Sequence, residues 1–329
     1  MNTMKTVVLT TGHQFLKFIG WQTRIWTDTV ADATIFQIPP SQPLRLRTNN
    51  HALDIYDENN PTLVLWTILD NKNQAFNLDA AGRLRPVSKK LMTHDDMPIR
   101  LQEVFQLNVL TYNVQECLNA DFGTLDWDAR GSVSDHQPFE SGNQIRDVIH
   151  SSRAHVVGLQ EYSANPGCSP IAKMEATSCD ADGGWRGLLH NRNILRGVTA
   201  TQSGRVPLAD DRCLVWTVFE ANGHVILFAN VHVTYKVPVQ PQNVRKIETF
   251  VKKAKSIYQH VILVGDFNFG RDHELYHRLA ETLTPVSIDV TRIDHVFVTE
   301  ALAKTCRSVK TIQSDASDHL PVLATFILS

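Results

Sequence analysis

The chain has 329 residues, 43% of them hydrophobic and 20% charged, with a formal net charge of -2. That composition excludes a chain too polar to bury a core, and its length suits one large domain or two ordinary ones. The near-neutral balance excludes a uniformly basic surface, although a metal-dependent site can supply positive charge locally.

Five scattered cysteines include no C-x-x-C pair and read as reduced or incidental thiols, with a Cys168–Cys179 bridge left open. No apolar run reaches the length of a transmembrane segment, and Met1 to Gly20 has neither a strongly basic start nor a sustained apolar stretch. The expectation is a soluble, cytoplasmic protein, with delivery as an effector left open.

Residues 1–100 read as a β-rich module. Short alternating runs such as Gln14–Ile19, Ala33–Ile38, Leu44–Arg47 and Thr62–Trp66 are separated by Pro39-Pro40, Asn49-Asn50 and Asn59-Asn60-Pro61. The order Leu53-Asp54-Ile55, Leu63–Trp66, Asn73–Leu78, Gly82–Arg85 resembles one repeat of a ricin-type β-trefoil lectin, with Gln-x-Phe where that family has Gln-x-Trp. An earlier stretch resembles a degenerate copy. No third repeat is visible between Lys89 and Leu107, so the module is expected to be partial, completed elsewhere, or not a trefoil. The resemblance implies a glycan ligand held by Asp54, Trp66 and Asn73; the plainer reading makes Trp66 core and the other two turn residues.

Residues 101–329 read as a second domain of strands and helices. Val104–Val114 is a strand with Asn113 near its end, and a long polar loop follows from Glu116 to Ser141. A helix is predicted over Asn143–Ser152 from the spacing of Ile145, Val148 and Ile149, and then a strand, Val156–Tyr162, carrying Glu161 at its end. A short helix is expected near Ile171–Thr177.

Arg212–Phe219 and His224–His232 read as a hairpin about Asn222-Gly223. Asn230 and His232, two apart, fall on one face of the second strand. A helix over Gln242–Tyr258 carries Val244, Ile247, Phe250, Val251 and Ala254 at helical spacing. It leads into Val261–Val264, a buried strand that stops at Gly265 and delivers Asp266 and Asn268; the period of two predicts one side for both. A helix over Glu274–Thr282, a strand over Arg292–Val298 and the segment Ser317–Phe326 complete the chain.

Taken in order, Thr111-Tyr112-Asn113, Gln160-Glu161, Asn230-Val231-His232, Gly265-Asp266-Phe267-Asn268, Ile293-Asp294-His295 and Ser317-Asp318-His319 resemble the motifs of the endonuclease/exonuclease/phosphatase (DNase I-like) superfamily. Each alone is weak, and the six in order are specific. The resemblance implies an α/β fold, a four-layer sandwich of two mixed sheets with helices outside, beside the smaller all-β N-terminal module.

It also implies hydrolysis of a phosphoester by in-line attack of water with Mg²⁺ or Mn²⁺. By carry-over, Glu161 is the main metal ligand, with Asn113 beside it and Asp318 completing the shell. Asp266 and Asn268 orient the water and bind phosphate. His319, oriented by Asp294, is the base or a phosphate contact, and His232 stabilises developing charge or protonates the leaving oxygen. Asn230 and Arg292 are expected to touch substrate.

Gln160-Glu161-Tyr162 lacks the Glu-Thr-Lys continuation of exonuclease III-type enzymes, and Gly265-Asp266-Phe267-Asn268 is not the Gly-Asp-Leu-Asn of inositol phosphatases. With His232 in the hairpin strand, the set resembles the DNase I-like and sphingomyelinase-like branches more, which implies a nuclease or related phosphodiesterase with nucleic acid as partner, and a lipid or inositol phosphate as the alternative. A glycan-binding protein with an inactive second domain is the reading from another class.

Overall fold

The computed structural model describes residues 5–11, 14–19, 24–38, 46–48, 51–55, 63–67, 74–79, 83–86, 93–94, 97–117, 138–163, 168, 171 and 189–329. The chain divides into two compact units, Met1–Gln106 with Ile327–Ser329, and Leu107–Phe326.

Among the described residues, the first unit has twelve short strands. They are β1 (Lys5–Thr10), β2 (Phe15–Phe18), β3 (Arg24–Thr27), β4 (Phe36–Ile38), β5 (Arg47–Thr48), β6 (His51–Ile55), β7 (Leu63–Thr67), β8 (Phe76–Leu78), β9 (Leu84–Pro86), β10 (Thr93–His94), β11 (Met97–Pro98) and β12 (Arg100–Glu103). The middle two strands of each consecutive four pair as a hairpin: β2 with β3, β6 with β7, β10 with β11. The other six bond side by side in the order β5-β4-β1-β12-β9-β8. The β12–β9 link is the bridge Arg83↔Arg100 together with Leu84 N–H donating to Ile99 O. The first and last strands are therefore adjacent.

One core joins all three groups: Val7, Leu16 and Phe36 from the first, Leu46, Leu53 and Phe76 from the second, Leu84 and Ile99 from the third. A third group of four strands, β9–β12, follows the first two, in the stretch where the sequence shows no third repeat. Two-residue strands such as β10 and β11 are too short to show a period of two, so this group has no pattern to read. Asp54 and Trp66 have their backbones in β6 and β7; their side chains, and all of Asn73, lie outside the described residues.

The second unit contains β13 (Phe105–Asn113), α1 (Pro138–Ser151), β14 (Val156–Ser163), β15 (Leu189–Leu195), β16 (Ala200–Pro207), β17 (Cys213–Ala221), β18 (His224–His232), α2 (Gln240–Lys255) and β19 (His260–Asp266). It continues with α3 (Glu274–Ala280), β20 (Thr284–Pro285), β21 (Asp294–Val298), α4 (Glu300–Ala303), β22 (Cys306–Thr311) and β23 (Val322–Leu328). One sheet has the order β15-β14-β13-β23-β22 and the other β16-β17-β18-β19-β21-β20. The pairs β13/β14 and β18/β19 are parallel, each joined through a helix.

On one outer face, Ile145 and Ile149 of α1 pack on Leu110, Tyr112, Val157 and Leu159. On the other, Val244, Ile247, Val251 and Ala254 of α2 cover Leu227, Ala229, Val261 and Leu263. Each of the larger α2 side chains, fully buried, contributes about 1.5–3 kcal/mol. The inner faces meet closely: a Cβ on Gly158 would lie 2.9 Å from Asn230 Cγ and 2.9 Å from Val264 Cγ2. The result is a four-layer α/β sandwich with strands β13, β14, β18 and β19 at its centre.

Elements with strong periodicity lie within a few residues of their predicted bounds. The Asn222-Gly223 turn forms with φ of 52° and 78°, the left-handed pair a two-residue hairpin needs. Most of the predicted loop over Glu116–Ser141 and of the helix near Ile171–Thr177 falls outside the described residues.

The cysteines differ from expectation. Cys117 and Cys168 form a disulfide, with Cα atoms 5.4 Å apart, while Cys213 and Cys306 are in no disulfide among the described residues. Because β13 and β14 are parallel neighbours, the segments leaving their ends start side by side. That brings together two cysteines 51 residues apart, and no sequence spacing reports it.

Candidate active site

Four central strands deliver polar side chains to one end of the sandwich. β13 ends at Asn113, β18 at His232 and β19 at Asp266, and β21 starts at Asp294. Glu161 lies inside β14 where the β14–β15 register shifts, and its φ of 52° marks a bulge that turns the carboxylate into the cleft.

Gly265 explains how β19 and β18 come so close here. Its φ is 148°, and a Cβ at this position would lie 1.8 Å from Val231 O. Only glycine fits, so the backbone that positions Asp266 requires it.

Asn113 Nδ2 donates to Glu161 Oε1 at 3.2 Å and to Asp266 Oδ2 at 3.1 Å, tying the two carboxylates together. Asn113 is itself held by Gln115 N–H on its Oδ1 and by Ser317 Oγ on its carbonyl. Ser317 Oγ also accepts from His319 N–H at 3.2 Å, which fixes the loop carrying His319.

His319 Nδ1 is 2.9 Å from Asp294 Oδ2, and its Nε2 is 3.8 Å from Asp266 Oδ2. Across Asp266, His232 Nε2 is 3.5 Å from Asp266 Oδ2 and 3.7 Å from Glu161 Oε1. Glu161, His232 and Asp266 each offer a ligand atom within 4.8 Å of the others, as do Asp266, Asp294 and His319.

The electrostatics are those of crowded, buried charge. Burial raises the Glu161 carboxyl above its ordinary range, against the pull of Asn113 and Arg212. Burial, then the charge of Asp294, raises Asp266 as well. For His319, burial pulls the pKa down, but the hydrogen bond and charge of Asp294, with Asp266 and Asp318, outweigh it and lift the imidazole to about 9. His232 is held well below the usual histidine range by burial, by Arg212 and by His319.

Converging carboxylates with raised pKa values are a good fit to a divalent cation, which would favour their ionised forms. Glu161 and Asp266 offer the oxygen donors a hard ion takes, while Asn113 turns its Nδ2 to both carboxylates and its Oδ1 to Gln115 N–H.

Three expectations change in the fold. Asn230 is fully buried one step beneath the site: its Oδ1 accepts from Gln160 Nε2, and its Nδ2 donates to the carbonyls of Leu159 and Arg192. It pins the two sheets together and has no free group for a substrate. Asn268 does not follow Asp266 onto one strand face, because β19 ends at Asp266 and Asn268 turns with φ of 54°. Its N–H donates to Asp266 Oδ1 at 2.8 Å and its Nδ2 to Val233 O, so it braces Asp266. Asp318 is exposed, its Oδ1 3.3 Å from Ser317 Oγ, and it acts on Glu161 and His319 through its charge.

Arg292 is exposed beside the site. It lines a groove of about 770 Å³ with Arg271, His273 and Asp289.

Sequence reasoning missed Arg212, whose Nη1 is 2.9 Å from His232 Nδ1. A signal existed. The hairpin pairs Ala221 with His224 and Leu214 with Val231, so one further step sets His232 opposite Cys213, next to Arg212.

No match is found among curated proteins. Among solved structures, an endonuclease/exonuclease/phosphatase family protein from Bacteroides thetaiotaomicron is similar at a TM-score of 0.53 and 17% identity, covering 69% of this chain and 100% of that one. A mannosyl-6-phosphatase from the same organism gives 0.51 and 16%, covering 68% and 100%. ANGEL2, a 2',3'-cyclic phosphatase in complex with adenosine-2',3'-vanadate, gives 0.55 and 14%, covering 68% and 96%. At these identities the likeness shows a shared fold. A sequence model described as the Endonuclease/Exonuclease/phosphatase family matches residues 110–319, more than half of the chain, and the protein belongs to that family of phosphoric ester hydrolases.

Proposed function

We propose that the protein hydrolyses phosphodiesters with Mg²⁺ or Mn²⁺ and that its substrate is a nucleic acid. The observation that carries this reading is the convergence of Glu161, His232, Asp266, Asp294 and His319, in two groups sharing Asp266, at one end of the sandwich. Glu161 would hold the cation, with Asn113 steadying its carboxylate and Asp318 at the edge. When bound, the cation supplies Lewis-acid stabilisation of phosphoryl charge.

Asp266 is placed to accept the proton of the attacking water, and its raised pKa suits it to that role. Asn268 holds Asp266 in position. His319, kept cationic by Asp294, faces the negative charge of the phosphoryl group, and His232 faces the same space from the opposite side.

Arg271 and Arg292 in the adjoining groove support a polyanionic substrate. A smaller lipid, inositol or sugar phosphate is the second reading, favoured by one observation: Arg271 is ion-paired with Asp289, which reduces the free positive charge of the groove. The Cys117–Cys168 bridge supports work in an oxidising compartment rather than the reducing cytoplasm.

The test is parallel incubation of purified protein with plasmid DNA, RNA, sphingomyelin, phosphoinositides and a sugar phosphate, with Mg²⁺ and with EDTA. Magnesium-dependent cleavage of DNA or RNA is expected. Turnover of a phospholipid or sugar phosphate alone would replace the nucleic-acid reading, and activity unchanged by EDTA would remove the metal from it.

A further inference from the structure

The histidine that Arg212 touches has its protonation pattern dictated by geometry. A guanidinium has five N–H donors and no acceptor, and it stays charged in proteins. Arg212 Nη1 lies 2.9 Å from His232 Nδ1, so Nδ1 must be the acceptor. An imidazole that accepts at Nδ1 carries its single proton on Nε2. Nε2 is the atom that faces Asp266 and Glu161, at 3.5 and 3.7 Å.

The turn that presents Arg212 is built to hold it there. Asp210 and Asp211, between β16 and β17, both have left-handed backbones, with φ of 60° and 53°. Neither is glycine, and such conformations persist where surrounding contacts impose them. Here the contacts are Thr234 Oγ1 and Lys236 Nζ, each donating to the Asp210 carboxylate at 2.6 Å. Thr234 lies two residues beyond His232. The segment leaving β18 therefore grips the turn that carries Arg212, and Arg212 grips the last residue of β18.

We propose that Arg212 is a positioning residue that locks His232 as the neutral Nε2–H tautomer, making His232 a hydrogen-bond donor toward a phosphoryl or leaving-group oxygen and excluding it as a base. The role given to His232 rests on the phosphodiesterase reading above; the tautomer itself does not, so the two can fail separately.

The test is ¹⁵N NMR of the imidazole nitrogens in metal-free wild type, Arg212→Lys and Arg212→Met, with kcat and KM on bis-p-nitrophenyl phosphate plus Mg²⁺ in parallel. Wild type should show a protonated Nε2 and a bare Nδ1 for His232. Arg212→Lys, which still offers only donors, should keep that pattern and most of the activity. Arg212→Met should lose the pattern and lower kcat by roughly tenfold to a hundredfold with KM little changed.

A wild-type His232 protonated at Nδ1, or at both nitrogens, overturns the proposal whatever the kinetics. So does an Arg212→Met enzyme that keeps the wild-type tautomer while KM rises, because Arg212 would then be a substrate contact. If no phosphoester is turned over by wild type, the phosphodiesterase reading fails, and the NMR result still decides the tautomer.

Discussion

The two histidines that flank Asp266 face the same carboxylate but are held in opposite states. His319 has Asp294 against its Nδ1 and is raised to about 9. His232 has Arg212 against its Nδ1 and is held far below the ordinary histidine range. The same ring becomes a fixed cation on one side and a neutral donor on the other because the atom behind it is an acceptor in one case and a donor in the other. What each histidine can do in the reaction is thus set by a residue that need not touch substrate.

The severest way to break this comparison is to remove what both sides share. Asp266→Ala, and likewise Glu161→Ala, should lower phosphodiesterase activity about a thousandfold or more, measured on folded protein with matched circular dichroism. If both variants, and His319→Ala with them, kept wild-type rates, the cleft would not be the active site.

The Cys117–Cys168 bridge staples the segments that follow Asn113 and Glu161 and packs in one cluster with Ala316, beside the loop that carries His319. For a loop of this size, reduction or Cys168→Ser should cost up to about 4 kcal/mol, read from urea melts with and without dithiothreitol.

The cationic state of His319 predicts a pH dependence. Its folded pKa lies above the unfolded value, so its contribution to stability is complete below about pH 6.5 and is lost as pH rises through about 9. The loss is at most about 3 kcal/mol. Asp266, also raised, has the same sign in an earlier window: its contribution is complete below the ordinary carboxylate pKa and is lost as pH rises through about 7. Thermal melts of metal-free protein should therefore fall across pH 6.5 to 9, and Mg²⁺ should restore more stability at the alkaline end. A flat profile would mean His319 is not held as a cation.

The smallest effect separates the two partners. Asp294→Asn keeps the shape but removes the charge behind His319. It should flatten that pH slope and reduce activity about a hundredfold, while leaving the NMR signature of His232 unchanged.

Much of the site was legible because it is made of strand ends. Asn113, Glu161, His232 and Asp266 follow apolar runs, and a run that ends in a polar residue marks where a buried strand reaches solvent. That same logic misplaced Asn268, whose positive φ takes it off the strand, and Asn230, whose polarity serves the contact between sheets. Polar residues at strand ends look alike in one dimension whether they face a cleft or another sheet.

The amino-acid sequence by itself determined the local elements: the β13, β14, β18 and β19 strands, the Asn222-Gly223 hairpin, the amphipathic helix α2 and the order of the six motifs. Periodicity and turn chemistry act over a few residues and can be read there. Only the tertiary structure decided the Cys117–Cys168 pairing, the third four-strand group of the N-terminal unit and the partnership of Arg212 with His232. Each depends on segments brought side by side by sheet order, which no short window of sequence contains.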